Sequence, residues 1–428
     1  MLFSALVHKG PVMGKRGTIT RDFRGPMSKN TPRIPGRHFL QIPGPAPVPD
    51  RILRAMDAAV IDHRGPEFQE LGKRVLASIK TIFKTRSHVF IYPSSGTGAW
   101  EAALSNTFSP GDKILMFETG HFATLWKNMA VKLGLKPEFI ESDWRTGADP
   151  NEIEKRLKAD SKHEIKAVCI VHNETSTGIT SPVQDIRKAI DAAKHPALFL
   201  VDTVSALASI DYRQDEWGID VTVCGSQKGL MLPPGLGFTA ASAKAIEVSK
   251  KSTLPKSFFS WEEMIGPNNA GFFPYTPATN LLYGLAEAVD MLHEEGLDRV
   301  FSRHRRHAEA TRRAVRGWGL EILCKDPKCY SPVVTAILMP SGHSADAFRK
   351  TVLDTFDMSL GAGLSKVADK VFRIGHLGDT NDLTIMGALS GVEMAFEVAG
   401  VPHKKGGAQA AIDYLAEAAK SPVQHAAE

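Results

Sequence analysis

The apolar run Pro196-Ala-Leu-Phe-Leu-Val-Asp202 closes on an aspartate, and about one strand–helix unit later Gly225-Ser-Gln-Lys228-Gly229 presents a lysine. In a parallel α/β sheet both side chains fall at the carboxyl ends of strands, the edge at which such sheets bind ligands. An acid at that edge can pair with a pyridinium nitrogen, and a lysine can condense with an aldehyde to a Schiff base. Pyridoxal phosphate requires both. Taken alone, the pair is equally well two unrelated polar residues at strand ends, so other groups suited to the same ligand are needed.

Three segments qualify. Pro93-Ser-Ser-Gly-Thr-Gly-Ala-Trp-Glu101 follows an apolar run and opens a helical pattern. The N–H groups of a Gly-rich turn and the positive end of a helix can cradle a phosphate ester, with the Ser95 and Thr97 hydroxyls as further donors. The segment is neither a Walker A loop nor GxGxxG, which weakens nucleotide readings, although an ordinary N-capped helix looks similar. His172-Asn-Glu-Thr-Ser-Thr-Gly178 follows another apolar run. Its hydroxyls could reach a phenolate oxygen, or it is a polar loop with Asx-type turns. Val371-Phe-Arg373-Ile-Gly-His-Leu-Gly378 sets an arginine inside an apolar strand pattern, where it needs an anion. That anion is either a structural carboxylate or the α-carboxylate of a substrate, which a guanidinium fork grips through two bonds.

Short apolar runs that alternate with amphipathic stretches must position these groups. Strands are expected at Val89–Tyr92, Lys113–Phe117, Pro137–Ile140, Ile165–Val171, Ala197–Val201, Val221–Cys224 and Gly237–Ala241. Helices are expected at Trp100–Phe108, Ala123–Leu133, Pro150–Lys158 and Pro182–Ala193. The alternation predicts right-handed crossovers and an α/β fold with a mainly parallel seven-stranded sheet. A long helix from Asn280 runs toward a basic helix at 299–318. Beyond it, short strands (Val333–Leu338, Val371–Ile374) and two helices (Ser344–Thr355, Leu383–Val398) predict a smaller α+β domain. The boundary is placed in the helical connector near residue 290. This gives a basic tail at 1–35, a large domain with an N-terminal arm at 36–290 and a small C-terminal domain at 291–428.

At 428 residues, more than one core is expected. With 43% hydrophobic and 23% charged residues the composition is that of an ordinary globular protein. The formal charge of +5 is unevenly spread: residues 1–37 carry +7 and the remainder −2, so the body lacks the basic excess of a nucleic-acid binder. Cys169, Cys224, Cys324 and Cys329 form no CxxC pair and no zinc spacing. No metal is expected, and a reducing, cytoplasmic setting fits. No apolar run reaches the roughly 18 residues of a membrane span, so no membrane partner is expected. Gly/Pro punctuation without apolar periodicity makes the first 35 residues a disordered tail; a transit peptide, or sequence ahead of a later start such as Met27, is the alternative.

In their order and spacing these segments resemble the fold-type I, class V aminotransferases, and among them the serine–glyoxylate and alanine–glyoxylate group, from about Pro35 to Leu415. The resemblance is carried by Ile42-Pro-Gly-Pro45, Asp62-His-Arg64, Ser94-Ser-Gly-Thr-Gly-Ala-Trp-Glu101, His172-Asn-Glu-Thr175, Val201-Asp-Thr-Val204, Gly225-Ser-Gln-Lys228, Pro274-Tyr-Thr-Pro277 and Phe372-Arg-Ile-Gly-His-Leu-Gly378. It implies pyridoxal 5'-phosphate as cofactor, Lys228 as the Schiff-base lysine and proton shuttle, and Asp202 as the pyridinium partner with Val204 packed beneath it. A phosphate cup of Ser95, Gly96, Thr97 and Gln227 is implied too. So are a ring at Phe122 stacked on the cofactor, where related enzymes often carry Trp, and a Thr175 hydroxyl near the phenolate oxygen. Arg373 matches the carboxylate clamp, and Gly44 falls in the substrate-binding set. Thr276, His63 and Arg64 match positions that enter the site from a neighbouring subunit, which implies a homodimer. The last two would read the donor side chain, unless they are solvated loop residues.

The implied reaction is ping-pong. L-Serine leaves its amino group on the cofactor and departs as hydroxypyruvate; glyoxylate collects the group and becomes glycine. Alanine and aspartate are the alternative donors, because enzymes that use them share nearly all these motifs. Three positions depart from the pattern: Gly65 where relatives usually have Ser, Thr203 where they usually have Gly, and Phe273 where some carry an aromatic hydroxyl. A cysteine desulfurase of the same fold needs a reactive small-domain cysteine, and no cysteine follows Cys329. A regulatory module would need an attached binding domain, for which the basic tail is too short.

Overall fold

The computed structural model describes residues 35–420; the expected disordered tail, but for its last residue, lies outside the described residues. From His38 onward the chain is one compact unit.

The seven expected strands form one sheet, in the order His88–Ser94, Gly235–Ala241, Val221–Gly225, Leu198–Asp202, Ile165–Val171, Lys113–Phe117, Lys136–Ile140. Every pairing is parallel except those of Gly235–Ala241, which runs against both its neighbours. The short link from Gly225 to Gly235 explains the reversal, because a parallel return needs a crossover of a dozen or more residues. Alternate residues of each strand face opposite sides. Phe199 and Val201 join one buried cluster with helices Pro66–Phe83, Pro150–Ala159, Val183–Ala192 and Thr279–Glu295. Leu198 and Leu200 join the other, with helices Gly96–Thr107 and His121–Lys132. Phe199 is fully buried, and truncating such a side chain to alanine costs about 3–5 kcal/mol. Ser94, Val171, Asp202 and Gly225 end strands at one common edge of this sheet, which therefore collects four of the five chemistry-bearing segments, all but that of Arg373.

A second, four-stranded sheet has the order Phe39–Gln41, Met358–Ala362, Val371–Gly375, Val334–Leu338. Helices Leu297–Gly317, Ala345–Phe356, Asp382–Ala399 and Gly407–Lys420 supply its core, where Trp318, Phe348, Phe372 and Phe396 pack together. Two of its strands were not expected. Phe39–Gln41 has only three residues, too few for a periodicity to register, and Met358–Ala362 is interrupted by Gly361. Phe39–Gln41 lies parallel to Met358–Ala362. From there the backbone crosses Gly375 so closely that a Cβ on Gly375 would stand 2.3 Å from the Ile42 carbonyl. That crossing delivers Pro43 and Gly44 to the edge of the large sheet.

Candidate active site

A cavity of about 250 Å³ opens at that edge and is lined by Gly44, Ser95, Gly96, Thr97, Trp100, Phe122, Asn173, Thr175, Asp202, Val204, Ser205, Gln227 and Lys228. Lys228 is buried, and its Nζ donates to the Pro43 carbonyl at 2.6 Å. A Cβ on Gly44 would come within 2.2 Å of that nitrogen, and Gly44 holds φ +123°, a conformation that side chains disfavour. Burial lowers the Lys228 ammonium to about 8, and the Arg373 charge adds to the effect while Asp202 and Glu174 oppose it. Asp202, also buried, moves the other way: burial raises its carboxyl to about 7. Hydrogen bonds from Val204 N at 2.7 Å and Trp100 Nε1 at 3.1 Å partly offset that rise. An acid held between two donors, with a lysine poised to lose its proton, is suited to moving protons on a bound cation.

Helix Gly96–Thr107 begins at this cavity. Its N-cap Ser95 makes no side-chain cap bond, so the first N–H groups and the positive end of the helix are turned to the ligand space. Gly96 is required sterically, since a Cβ there would meet Val204 Cγ2 at 2.6 Å. Two buried polar atoms on cavity-lining residues, Gln227 Oε1 and Asn173 Oδ1, have no partner among the described residues. Both are acceptors that a bound ligand could meet. Phe122 stands at the start of helix His121–Lys132, with the His121 ring edge-on to it at 5.4 Å and 71°.

The segment after Val171 is ordered more tightly than a polar loop. Asn173–Glu174 pairs antiparallel with Ile179–Thr180. Thr175 Oγ1 and Asn173 Nδ2 both donate to Ser205 Oγ at 2.8 Å. Fully buried Glu174 accepts from Ala123 N at 3.0 Å, Phe122 N at 3.3 Å and Ser176 Oγ at 2.6 Å, and so caps the helix that presents Phe122. Trp100, Asn173, Glu174 and Ser205 were not singled out in the sequence; each sits inside or beside a quoted motif, but only their contacts across the chain reveal the role.

Arg373 is 7% exposed, just outside the cavity wall, and donates to the carbonyls of Thr175 and Ala362 at 2.7 Å each. Burial lowers it to about 10, and it forms no ion pair among the described residues. No carboxylate bonds it directly, although the charge of buried Glu174 works against the lowering. His63, Arg64 and Thr276 do not line this cavity. Arg64 and Thr276 are exposed on loops ahead of helices Pro66–Phe83 and Thr279–Glu295. Asn280, in the first turn of helix Thr279–Glu295, donates to the Met56 and Ala58 carbonyls at 2.8 Å each, which ties that helix start to the chain ahead of His63.

The three departures have local explanations. Thr203 is buried with its hydroxyl donating to Val223 O at 2.9 Å, so its extra atoms are satisfied. The Phe273 ring packs edge-on to Phe68 at 6.1 Å and belongs to the core. Gly65 closes a turn on Asp62, whose carbonyl accepts its N–H at 3.0 Å.

The family model for Aminotransferase class-V matches residues 38–373. A serine–glyoxylate aminotransferase of Methylorubrum extorquens is 48% identical, covering 90% of this chain and 98% of the relative. One from Hyphomicrobium methylovorum is 50% identical, covering 88% and 94%. An L-aspartate–glyoxylate aminotransferase of Paracoccus denitrificans is 43% identical over 86% of this chain and 94% of its own. Among solved structures, the ureidoglycine–glyoxylate aminotransferase of Bacillus subtilis superposes with a TM-score of 0.83 at 28% identity, covering 90% of this chain and 99% of that one. The chain belongs to the class-V aminotransferases, whose cofactor is pyridoxal 5'-phosphate.

Proposed function

We propose that this protein transfers the amino group of L-serine to glyoxylate, yielding hydroxypyruvate and glycine, and that it does so as a homodimer in the cytoplasm. The observation that carries the donor and acceptor is the share of sequence, close to half, held in common with serine–glyoxylate enzymes along nearly their whole length. The dimer is supported by the position of His63, Arg64 and Thr276 outside their own cavity, with Arg64 and Thr276 exposed.

The cavity residues suit the cofactor: an open helix N-terminus for the phosphate, a buried acid for the ring nitrogen, a buried amine for the aldehyde and unmatched polar atoms between them. When bound, pyridoxal 5'-phosphate supplies the aldehyde that accepts the amino group and a ring that draws electrons from the substrate Cα. Ser95, Gly96, Thr97 and Gln227, with Thr276 of a second subunit, would hold the phosphate. Phe122 and Val204 would cover the two ring faces, Asp202 would keep the ring nitrogen protonated, and Thr175 would reach the phenolate oxygen. Arg373 would bind the α-carboxylate and Lys228, freed of its proton, would carry the Cα proton to and fro. His63 and Arg64 of a second subunit would read the donor side chain, with Gly44 leaving the amine its path.

The test is glycine formation from glyoxylate with serine, alanine and aspartate as donors, for wild type and Lys228→Ala. Serine should give the highest kcat/KM, and the variant should stay folded yet lose activity by several orders of magnitude. Aspartate as the best donor would overturn the substrate assignment, and an active variant would overturn the role of Lys228.

A further inference from the structure

The link between strands Met358–Ala362 and Val371–Gly375 contains two non-glycine residues with a left-handed backbone, Ser365 and Asp369 at φ +57°. Ser365 has φ +49°, in the left-handed region that non-glycine residues avoid. Strain of this kind persists only where the surroundings enforce it, and it clusters at functional sites. The Ser365 hydroxyl shares a hydrogen bond with His121 Nδ1 at 2.7 Å. Ser365 itself is exposed, and an exposed hydrogen bond replaces one to water, so the bond offsets little of the strain. A stability role does not account for a serine here.

The surroundings suggest what does. His121 directly precedes Phe122, its ring rests edge-on against the Phe122 ring, and its backbone N donates to Ser176 Oγ at 2.9 Å. The residue after Ser365 makes a second link to the same region. Lys366 Nζ pairs with buried Glu118 at 2.5 Å and lies 5.2 Å from the centre of the Trp144 ring. At its start the link is tied to Arg373, whose Nε donates to Ala362 O. One short loop thus connects the arginine proposed as the carboxylate clamp to the aromatic ring on the cavity wall.

We propose that Ser365 is a positioning residue, its hydroxyl pinning the His121 imidazole and through it the Phe122 ring, so that the ring is held in register with the strand of Arg373. The proposal rests on the cofactor-binding reading of the cavity. It predicts that local order is bought with backbone strain, and glycine separates the two. Ser365→Gly adopts the same backbone without left-handed strain and removes the hydroxyl together with its methylene.

The experiment compares wild type, Ser365→Gly, His121→Ala and the double variant. The readouts are thermal unfolding of the cofactor-free proteins, the dissociation constant for pyridoxal 5'-phosphate, the visible circular dichroism of the bound cofactor, and KM against kcat for serine. Ser365→Gly should unfold no earlier than wild type, yet bind the cofactor roughly two- to threefold more weakly and alter its dichroism. His121→Ala should match it, and the double variant should add nothing further, since both break one link. Unchanged cofactor affinity and dichroism in Ser365→Gly, or fully additive losses in the double variant, would overturn the proposal. A wild-type protein that does not bind the cofactor would instead overturn the functional reading, and the proposal with it.

Discussion

Trp100 and Asp202 are joined across the ligand cavity, the indole N–H donating to Oδ2 at 3.1 Å while Val204 N donates to Oδ1 at 2.7 Å. The carboxylate is thereby fixed in plane and direction before any ligand arrives. Trp100→Phe should keep the packing against Trp126, 6.0 Å between ring centres, but release one carboxylate oxygen. A cofactor affinity lowered roughly ten- to 150-fold, about 1.5–3 kcal/mol for one hydrogen bond to a charged group, is expected by titration.

Gly44 and Lys228 cannot both keep their places if a methyl group is added. Gly44→Ala combines a 2.2 Å clash with a left-handed φ, which costs about 1–3 kcal/mol by itself. A melting midpoint lowered by several degrees and a kcat/KM for serine at least roughly a hundredfold down should be measured together. Wild-type kinetics in this variant would mean that the arm moves aside freely.

Asp202 makes the cofactor-free protein sensitive to acid in an unusual direction. Its folded value of about 7 lies above the ordinary ~3.9, so the folded state holds the extra proton between those limits. Stability from this group is full below about pH 4 and falls as pH rises toward 7, by up to roughly 4 kcal/mol. Lys228, lowered to about 8, acts above that range: stability rises with pH from about 8 to its ordinary ~10.5. Cofactor-free Asp202→Asn should lose the lower slope in melting scans, and the cofactor-bound variant should remove the serine Cα proton slower by orders of magnitude. An unaltered slope would assign the pH dependence elsewhere.

Arg373→Lys replaces a planar fork with a single ammonium. If Arg373 grips the carboxylate common to all substrates, KM for serine, alanine and glyoxylate should each rise about tenfold or more and by similar factors. An effect confined to one substrate would return Arg373 to a purely structural role.

His63→Ala and Arg64→Ala bear on donor choice and on the second subunit together. Each should shift the serine-to-alanine ratio of kcat/KM by more than about fivefold while leaving KM for glyoxylate nearly unchanged. Constant ratios would mark both as solvated loop residues.

The large sheet was legible because each strand announces itself locally: Ile165–Val171 and Leu198–Asp202 are unbroken apolar runs whose ends carry the polar groups. The site followed, since a parallel sheet brings such ends to one edge. What could not be read depended on remote partners. Phe39–Gln41 is a strand only because Met358–Ala362 lies beside it. Glu174 looks like any loop acid until it caps a helix that begins some fifty positions earlier, at His121. The bond from Trp100 to Asp202 likewise spans two motifs that local pattern treats separately.

The pairing of Phe39–Gln41 with Met358–Ala362 sets a timetable for synthesis. The backbone that receives the Lys228 amine, at Pro43, hangs from a strand whose neighbour lies more than three hundred residues downstream, as the His38–Asp357 contact at a separation of 319 illustrates. On the ribosome the large sheet can assemble from about Ala241 onward, but the amine has no lid until the second sheet has emerged. A nascent chain stalled before residue 358 should therefore fold its central sheet and still hold the cofactor loosely. The emergence of residues 358–375, rather than the first appearance of the lysine, is when the catalytic chamber closes.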